Sequence, residues 1–142
     1  MRTHSPERPG WSTRGSTLVE FALVLPILLV LSVAATDLGR AFFTKNVLHQ
    51  AAREGVRLRV VLGDPLSASD YDRVVARVET VAGAAGLSNP TISIGGPDAT
   101  TRCDSVSVTA DFHWVFPGLF RVVGLDVTNP MPLTATCYMK QE

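Results

Sequence analysis

The sequence predicts an α+β protein: a long N-terminal helix, a second helix and a small antiparallel sheet of about three strands. Three observations predict this class. An apolar run extends from Phe21 to Ala35, interrupted only by Pro26 and Ser32. Helical periodicity continues beyond it to about residue 62. The C-terminal half then alternates between polar and apolar residues, which is typical of half-buried strands.

The first fifteen residues, MRTHSPERPGWSTRG, are predicted to be a leader. They contain two prolines, two glycines, three arginines and a single glutamate, and they have no apolar period from which a core could form. Such a composition fits a targeting segment that is removed. The three arginines favour a cytoplasmic N-terminus by the positive-inside rule, although Arg40 and Lys45 follow the apolar run.

Residues 16–36 are predicted to form a transmembrane helix, since about twenty apolar residues span a bilayer. Pro26 is compatible with this assignment because membrane helices tolerate proline. Glu20 is the unexpected residue, because it is the one charged residue between Arg14 and Asp37. A carboxylate at mid-bilayer costs roughly 2.5–3.5 kcal/mol on insertion scales. A glutamate at this position therefore requires a partner or a function.

Residues 37–142 are predicted to form an extracytoplasmic α+β domain. The first helix continues into it with apolar residues at helical spacing and stops at Gly63-Asp64-Pro65. Asp37 and Arg40, three residues apart, are expected to form a surface ion pair worth about 0.3 kcal/mol. A second helix is predicted over 70–86, with Ser69 as its N-cap and Gly86 at its C-terminal end.

Three strands are predicted near 91–94, 105–116 and 131–140. Cys103 and Cys137 form a possible disulfide if this domain is exported. A hairpin with Phe116 opposite Met131 would place the two cysteines about 23 Å apart at ~3.3 Å per residue. A bridge would therefore need another register, and two unpaired thiols remain the alternative.

Several functional classes find no support in the sequence. The formal net charge is zero, so no overall positive charge favours nucleic acid as a partner. His4, His49 and His113 are isolated, and the motifs HExxH, GxSxG and a glycine-rich phosphate loop are missing from the sequence. We therefore expect no enzyme, no cofactor, no metal site and no small-molecule substrate.

The position of Glu20 becomes understandable if the chain is cut after Gly15. Ser16 would then carry a free α-amine, and Glu20 would lie one helical turn further on the same face. The amine of the same chain or of a neighbouring subunit could pair with the carboxylate. A buried polar group of this kind can also fix which subunit lies beside which, as it does in coiled coils.

These residues carry a resemblance to a known family. Arg14, Gly15 and Glu20, followed by an apolar helix, resemble the prepilin processing signal. The longer pattern of RGSTLVEFALVLPILL, then DLGR at 37–40 and AAREGVR at 51–57, is similar to the TadE-like family of minor pseudopilins. The C-terminal LTATCYMKQE resembles that family's ending.

The resemblance implies a non-enzymatic part in a tight-adherence (Flp) pilus or a related secretion apparatus. It implies cleavage between Gly15 and Ser16 by a membrane aspartyl prepilin peptidase, and a role for Glu20 in processing or subunit packing. The expected partners are that peptidase, other pilins or pseudopilins, and the lipid bilayer. The expected location is the cytoplasmic membrane, with a single pass and the C-terminal domain outside.

Two alternatives remain open from the residues. Ser32-Val33-Ala34 resembles a small-x-small signal peptidase site, and cleavage after Ala34 would release a soluble binding module. Alternatively, the chain is an unprocessed single-pass anchored protein. Neither alternative gives Gly15 and Glu20 a role.

Overall fold

A computed structural model describes residues 13–63, 65–97, 102–122, 124 and 126–140. Most of the predicted leader lies outside the described residues. The chain order of the elements is α1 (Thr13–Leu62), α2 (Ala68–Ala84), β1 (Thr91–Gly95), β2 (Cys103–Phe112), α3 (Pro117–Val122) and β3 (Met131–Lys140). The predicted α+β class is confirmed.

Helix α2 begins earlier than predicted, because Ser67 rather than Ser69 is its N-cap. The Ser67 hydroxyl oxygen accepts a hydrogen bond from the Asp70 amide at 3.2 Å and lies 2.6 Å from a carboxylate oxygen of Asp70. At the other end, Gly86 adopts a positive φ of 79°. The amide of Leu87 reaches back to the carbonyl of Ala82 at 3.1 Å, which completes a Schellman C-cap.

The three strands form an antiparallel sheet in the order β1-β2-β3. Strand β2 ends at Phe112, four residues before the predicted end at residue 116. The chain leaves the sheet after Phe112 because its next amides bind elsewhere. The Trp114 amide donates to Asn129 Oδ1 at 3.2 Å, and the Phe116 amide donates to Asp37.

The register differs from the hairpin considered above. Phe112, not Phe116, faces Met131, and Cys137 faces Val106 while Cys103 faces Lys140. The two cysteines are three positions apart along the paired strands, and successive side chains alternate between faces. Cys137 points to α1, where its Sγ lies 3.7 Å from the carbonyl of His49. Cys103 lies on the opposite face, and the structure contains no disulfide between the two.

One face of the sheet packs on α1 and α2. The core consists of small and branched residues from α1, α2, β2 and β3: Leu48, Ala51, Ala52, Val56, Val78, Val106, Val108, Ala110 and Ala135. Gly55 lies at the closest approach, because a Cβ at this position would be 2.6 Å from Val78 Cγ2 and 3.1 Å from Val106 Cγ1. The sheet and α2 therefore pack only on the C-terminal half of α1. We call this half of α1, together with the described residues that follow it, the head. The N-terminal half of α1 projects from the head.

Candidate assembly interface

The residues of the predicted processing signal lie together in the first turns of α1. Gly15, Ser16 and Glu20 are all exposed, and helical backbone already includes residues 13–16. Five residues of helix correspond to a rise of about 7.5 Å between Gly15 and Glu20. Ser16 and Glu20 are about one turn apart on the same face. The structure thus places these residues together on one uncovered helix end.

The apolar half of α1 is uncovered by the rest of the described chain. Its most apolar window has a mean hydropathy of 2.6, and none of that window is buried. Leu18 is 71% exposed, and Leu31, more than three turns later, is still 64% exposed. Exposed apolar surface of this extent marks contact with lipid or with another protein. By length and composition, this helix is able to cross a membrane once.

The hydroxyl groups inside the apolar segment are satisfied within the helix. Ser32 Oγ donates to the Leu28 carbonyl at 2.8 Å, and Thr36 Oγ1 donates to the Ser32 carbonyl at 2.9 Å. Such bonds to the preceding turn remove the need for water, which the hydrocarbon core does not provide. The two polar residues are therefore compatible with an apolar surrounding.

Asp37 joins the projecting helix to the head. The predicted ion pair with Arg40 is confirmed, but the expectation that Asp37 lies at the surface is wrong. The Asp37 side chain is only 2% exposed. Its carboxylate accepts hydrogen bonds from the amides of Val115 at 3.4 Å and Phe116 at 3.2 Å. Arg40 does pair with it, at 3.3 Å. Asp37 is therefore a buried junction between α1 and the segment that precedes α3.

An aromatic cluster extends this junction. The rings of Phe112 and Trp114 meet edge to face with centroids 5.0 Å apart, and the rings of Trp114 and Phe120 lie at the same distance. The Arg40 guanidinium lies 5.4 Å from the centre of the Phe112 ring, within the range of a cation–π contact. Arg40 thus links the carboxylate of the junction to the end of β2.

A second buried polar contact lies at the far end of the head. Arg59 Nη2 of α1 is 3.5 Å from Asp104 Oδ1 of β2, and these side chains are 2% and 0% exposed. Arg59 Nη1 also donates to the Gly63 carbonyl at the end of α1. This pair fixes the C-terminal end of α1 to β2. Asp37 fixes the middle of α1, where the helix enters the head, to the segment that precedes α3.

Sequence reasoning missed both contacts, although a signal existed for one of them. Arg59 falls three residues after Val56, on the apolar stripe of α1, and Asp104 falls on the inward side of β2 with Val106. Two opposite charges at positions that periodicity places inside indicate a buried pair. No comparable signal marks Asp37, because its partners are backbone amides 78 and 79 residues away.

Metal-binding geometry is not found in the described ranges, where no three His, Cys, Asp or Glu side chains come together to hold an ion. A small apolar groove of about 180 Å³ lies where α1 meets β3, lined by Leu38, Ala41, Phe42, Lys45 and Leu133. It continues the uncovered apolar surface of α1 onto the head.

These features define a class of protein: a small α+β head carried on one N-terminal helix that is long and apolar enough to span a membrane. Residues 15–57 match the family model described as TadE-like protein. The match covers Gly15, the apolar segment and most of the part of α1 that lies within the head, and it confirms the resemblance. No curated protein and no solved structure matches the chain.

Proposed function

We propose that this protein is a minor pseudopilin of a tight-adherence (Flp-type) pilus or a related secretion apparatus. A prepilin peptidase cuts it between Gly15 and Ser16, and the mature chain is held in the cytoplasmic membrane by α1 with its head outside. Its function is assembly and not catalysis. Other pilins or pseudopilins of the apparatus are its partners.

One observation carries this proposal. The N-terminal half of α1 presents an uncovered apolar surface, and Gly15 and Glu20 lie at its N-terminal end. Both residues and the surface fall within the segment that matches the TadE-like family model. A helix with this surface is stable in lipid, and it is equally suited to pack against similar helices. Withdrawal from the membrane into an assembly would exchange lipid contacts for helix–helix contacts.

Glu20 has a defined chemical role in this proposal. After cleavage, the α-amine of Ser16 lies one turn from the Glu20 carboxylate, either in the same chain or in an adjacent subunit. The positive end of the helix dipole favours the same carboxylate. Pairing with the amine of a neighbour offsets the cost of burying the charge and sets the axial position of one subunit against the next.

The proposal is tested by genetic complementation in the producing bacterium. Deletion of the gene is expected to abolish pili or secretion by the apparatus, and the wild-type gene is expected to restore it. Glu20→Ala should fail to restore assembly although the protein accumulates in the membrane. Glu79→Ala, which removes an exposed glutamate of α2, is the matched control and should restore it. Normal assembly in the deletion strain would reject the proposal.

A further inference from the structure

We propose that the end of the head nearest to Asp37 rests on the bilayer and inserts apolar side chains at the boundary between headgroups and acyl chains. We name this surface the lipid-facing rim and define it by Leu38, Val115, Phe116 and Met131, which are 52%, 53%, 51% and 38% exposed. The inference rests on the membrane anchoring in the proposed function and goes beyond it by assigning the head a lipid contact.

The direction of β2 relative to α1 brings the end of this strand toward the membrane-facing half of the helix. Asp104, at the start of β2, contacts Arg59 near the end of α1. Phe112, at the end of β2, lies beneath the guanidinium of Arg40. Strand β2 therefore runs antiparallel to α1, away from the far end of the head and toward the apolar half of the helix.

Two lengths agree with this direction. The rise along α1 from Asp37 to Arg59 is about 33 Å at ~1.5 Å per residue. An extended chain from Asp104 to Val115 covers about 36 Å at ~3.3 Å per residue. The chain after β2 consequently arrives at the level of Asp37, where the amides of Val115 and Phe116 donate hydrogen bonds to its carboxylate.

The position of Asp37 in the sequence indicates where the membrane surface lies along α1. It is the first charged residue after sixteen uncharged ones, so it lies where α1 leaves the hydrocarbon. Its carboxylate holds the backbone of Val115 and Phe116 at this same height. Because the amides are fixed and the side chains are exposed, these side chains are placed at the edge of the acyl region.

The chemistry of the rim also fits a bilayer surface. Its apolar side chains are accompanied by Arg40, whose side chain is 49% exposed. Arg121 of α3 is 78% exposed and forms a 3.7 Å solvent-exposed pair with Asp126, which leaves its guanidinium accessible. Apolar groups that enter the acyl boundary beside cations that meet lipid phosphates are typical of interfacial contacts. Continuity with the spanning surface of α1 favours lipid as the occupant over a second copy of the chain.

The experiment measures the depth of single tryptophans in full-length protein reconstituted in phosphatidylcholine–phosphatidylglycerol vesicles. Trp11→Phe and Trp114→Phe give a background without tryptophan. The second change sacrifices no hydrogen bond seen in the described chain, since Trp114 Nε1 is buried without a partner there. Phe116→Trp is the test variant. Leu29→Trp reports on the spanning helix, and Tyr71→Trp near the far end of the head is the exposed control.

Vesicles carry lipids brominated either close to the headgroup or close to the end of the acyl chain, because bromine quenches tryptophan only at short range. If the rim inserts about 5–10 Å, Phe116→Trp loses roughly half of its fluorescence with the shallow bromines. The deep bromines should affect it less, and Tyr71→Trp should keep its fluorescence with both.

Two other results are distinguishable. Strong quenching of Leu29→Trp, with Phe116→Trp no more quenched than Tyr71→Trp, overturns the lipid-facing rim while the anchoring stands. A second copy covering the rim would give that same pattern. Absence of quenching at Leu29→Trp rejects the membrane anchoring, and the rim is rejected with it.

Discussion

Arg59 of α1 and Asp104 of β2 form an ion pair in which both side chains are almost completely buried, with 3.5 Å between Nη2 and Oδ1. The pair lies at the end of the head opposite to the Asp37 junction. Each contact joins α1 to the segment that contains or follows β2. Together they fix both the tilt and the axial position of the helix against the sheet.

Removal of one partner of the buried pair should strongly destabilise the head. Asp104→Ala leaves the Arg59 charge buried without its carboxylate, and such changes cost about 3–5 kcal/mol. Denaturant unfolding in detergent, followed by the fluorescence of Trp114, measures this loss. The double variant Arg59→Met/Asp104→Leu should lose less than Asp104→Ala alone.

The matched control is the pair between Arg77 of α2 and Glu54 of α1, which has a shorter distance of 2.9 Å but side chains that are 51% and 38% exposed. Arg77→Ala should change the free energy of unfolding by about 1 kcal/mol or less. Equal effects of Asp104→Ala and Arg77→Ala would contradict the importance of burial.

Gly55 should be intolerant of a side chain although alanine favours helices. The added methyl of Gly55→Ala would meet Val78 Cγ2 at 2.6 Å, and overpacking typically costs about 1–3 kcal/mol. Gly39→Ala is the control on the same helix, where no atom lies within 4 Å of the new Cβ. There the helix propensity should give a gain of up to about 1 kcal/mol. Thermal unfolding of both variants measures these changes in stability. A stabilised Gly55→Ala would refute the close approach of α1 to Val78.

Asp37→Ala should release the segment before α3 without unfolding the head. Each hydrogen bond to a charged acceptor contributes about 1.5–3 kcal/mol, so the amides of Val115 and Phe116 should exchange hydrogen for deuterium at least tenfold faster. Amides of β2 that pair with β3 serve as the internal control. Unchanged exchange at residues 115 and 116 would show that Asp37 does not hold them.

Asp70 should titrate below the ordinary aspartate range. The hydrogen bond from Ser67 lowers the pKa of Asp70, partial burial opposes this effect, and the nearby Arg73 lowers the pKa further. A depressed pKa in the folded state contributes stability above the unfolded pKa, and this contribution is lost as pH falls through the folded value. Ser67→Ala should therefore raise the titration midpoint measured by NMR. A midpoint that does not move would exclude the hydrogen bond as the main cause.

The sequence was sufficient to predict what depends on local pattern. The apolar run and its helical continuation predicted the length of α1 to within a few residues, because periodicity and the Gly63-Asp64-Pro65 stop are local signals. Alternation predicted the inward face of β2 for the same reason. Gly86 could be predicted at the C-terminal end of α2 because glycine adopts a positive φ without strain.

What the sequence could not predict depends on distant partners. The residues up to Phe116 continue the strand alternation, but β2 ends at Phe112 because the following amides bind Asp37 and Asn129. A one-dimensional pattern cannot show this competition between the ladder and distant acceptors. The hairpin register with Phe116 opposite Met131 fails for the same reason, since the ladder ends at Phe112. The wrong N-cap has a local cause, because two serines of equal capping ability lie two residues apart.

The central claim is prepilin-type processing, and the N-terminus of the mature protein tests it most directly. The measurement is mass spectrometry of the N-terminal peptide from membrane and medium fractions of the producing cell. We expect a chain that begins at Ser16 in the membrane fraction. A chain that begins at Ala35 in the medium, or an uncut chain that begins at residue 1 or 2 in the membrane, would contradict the claim.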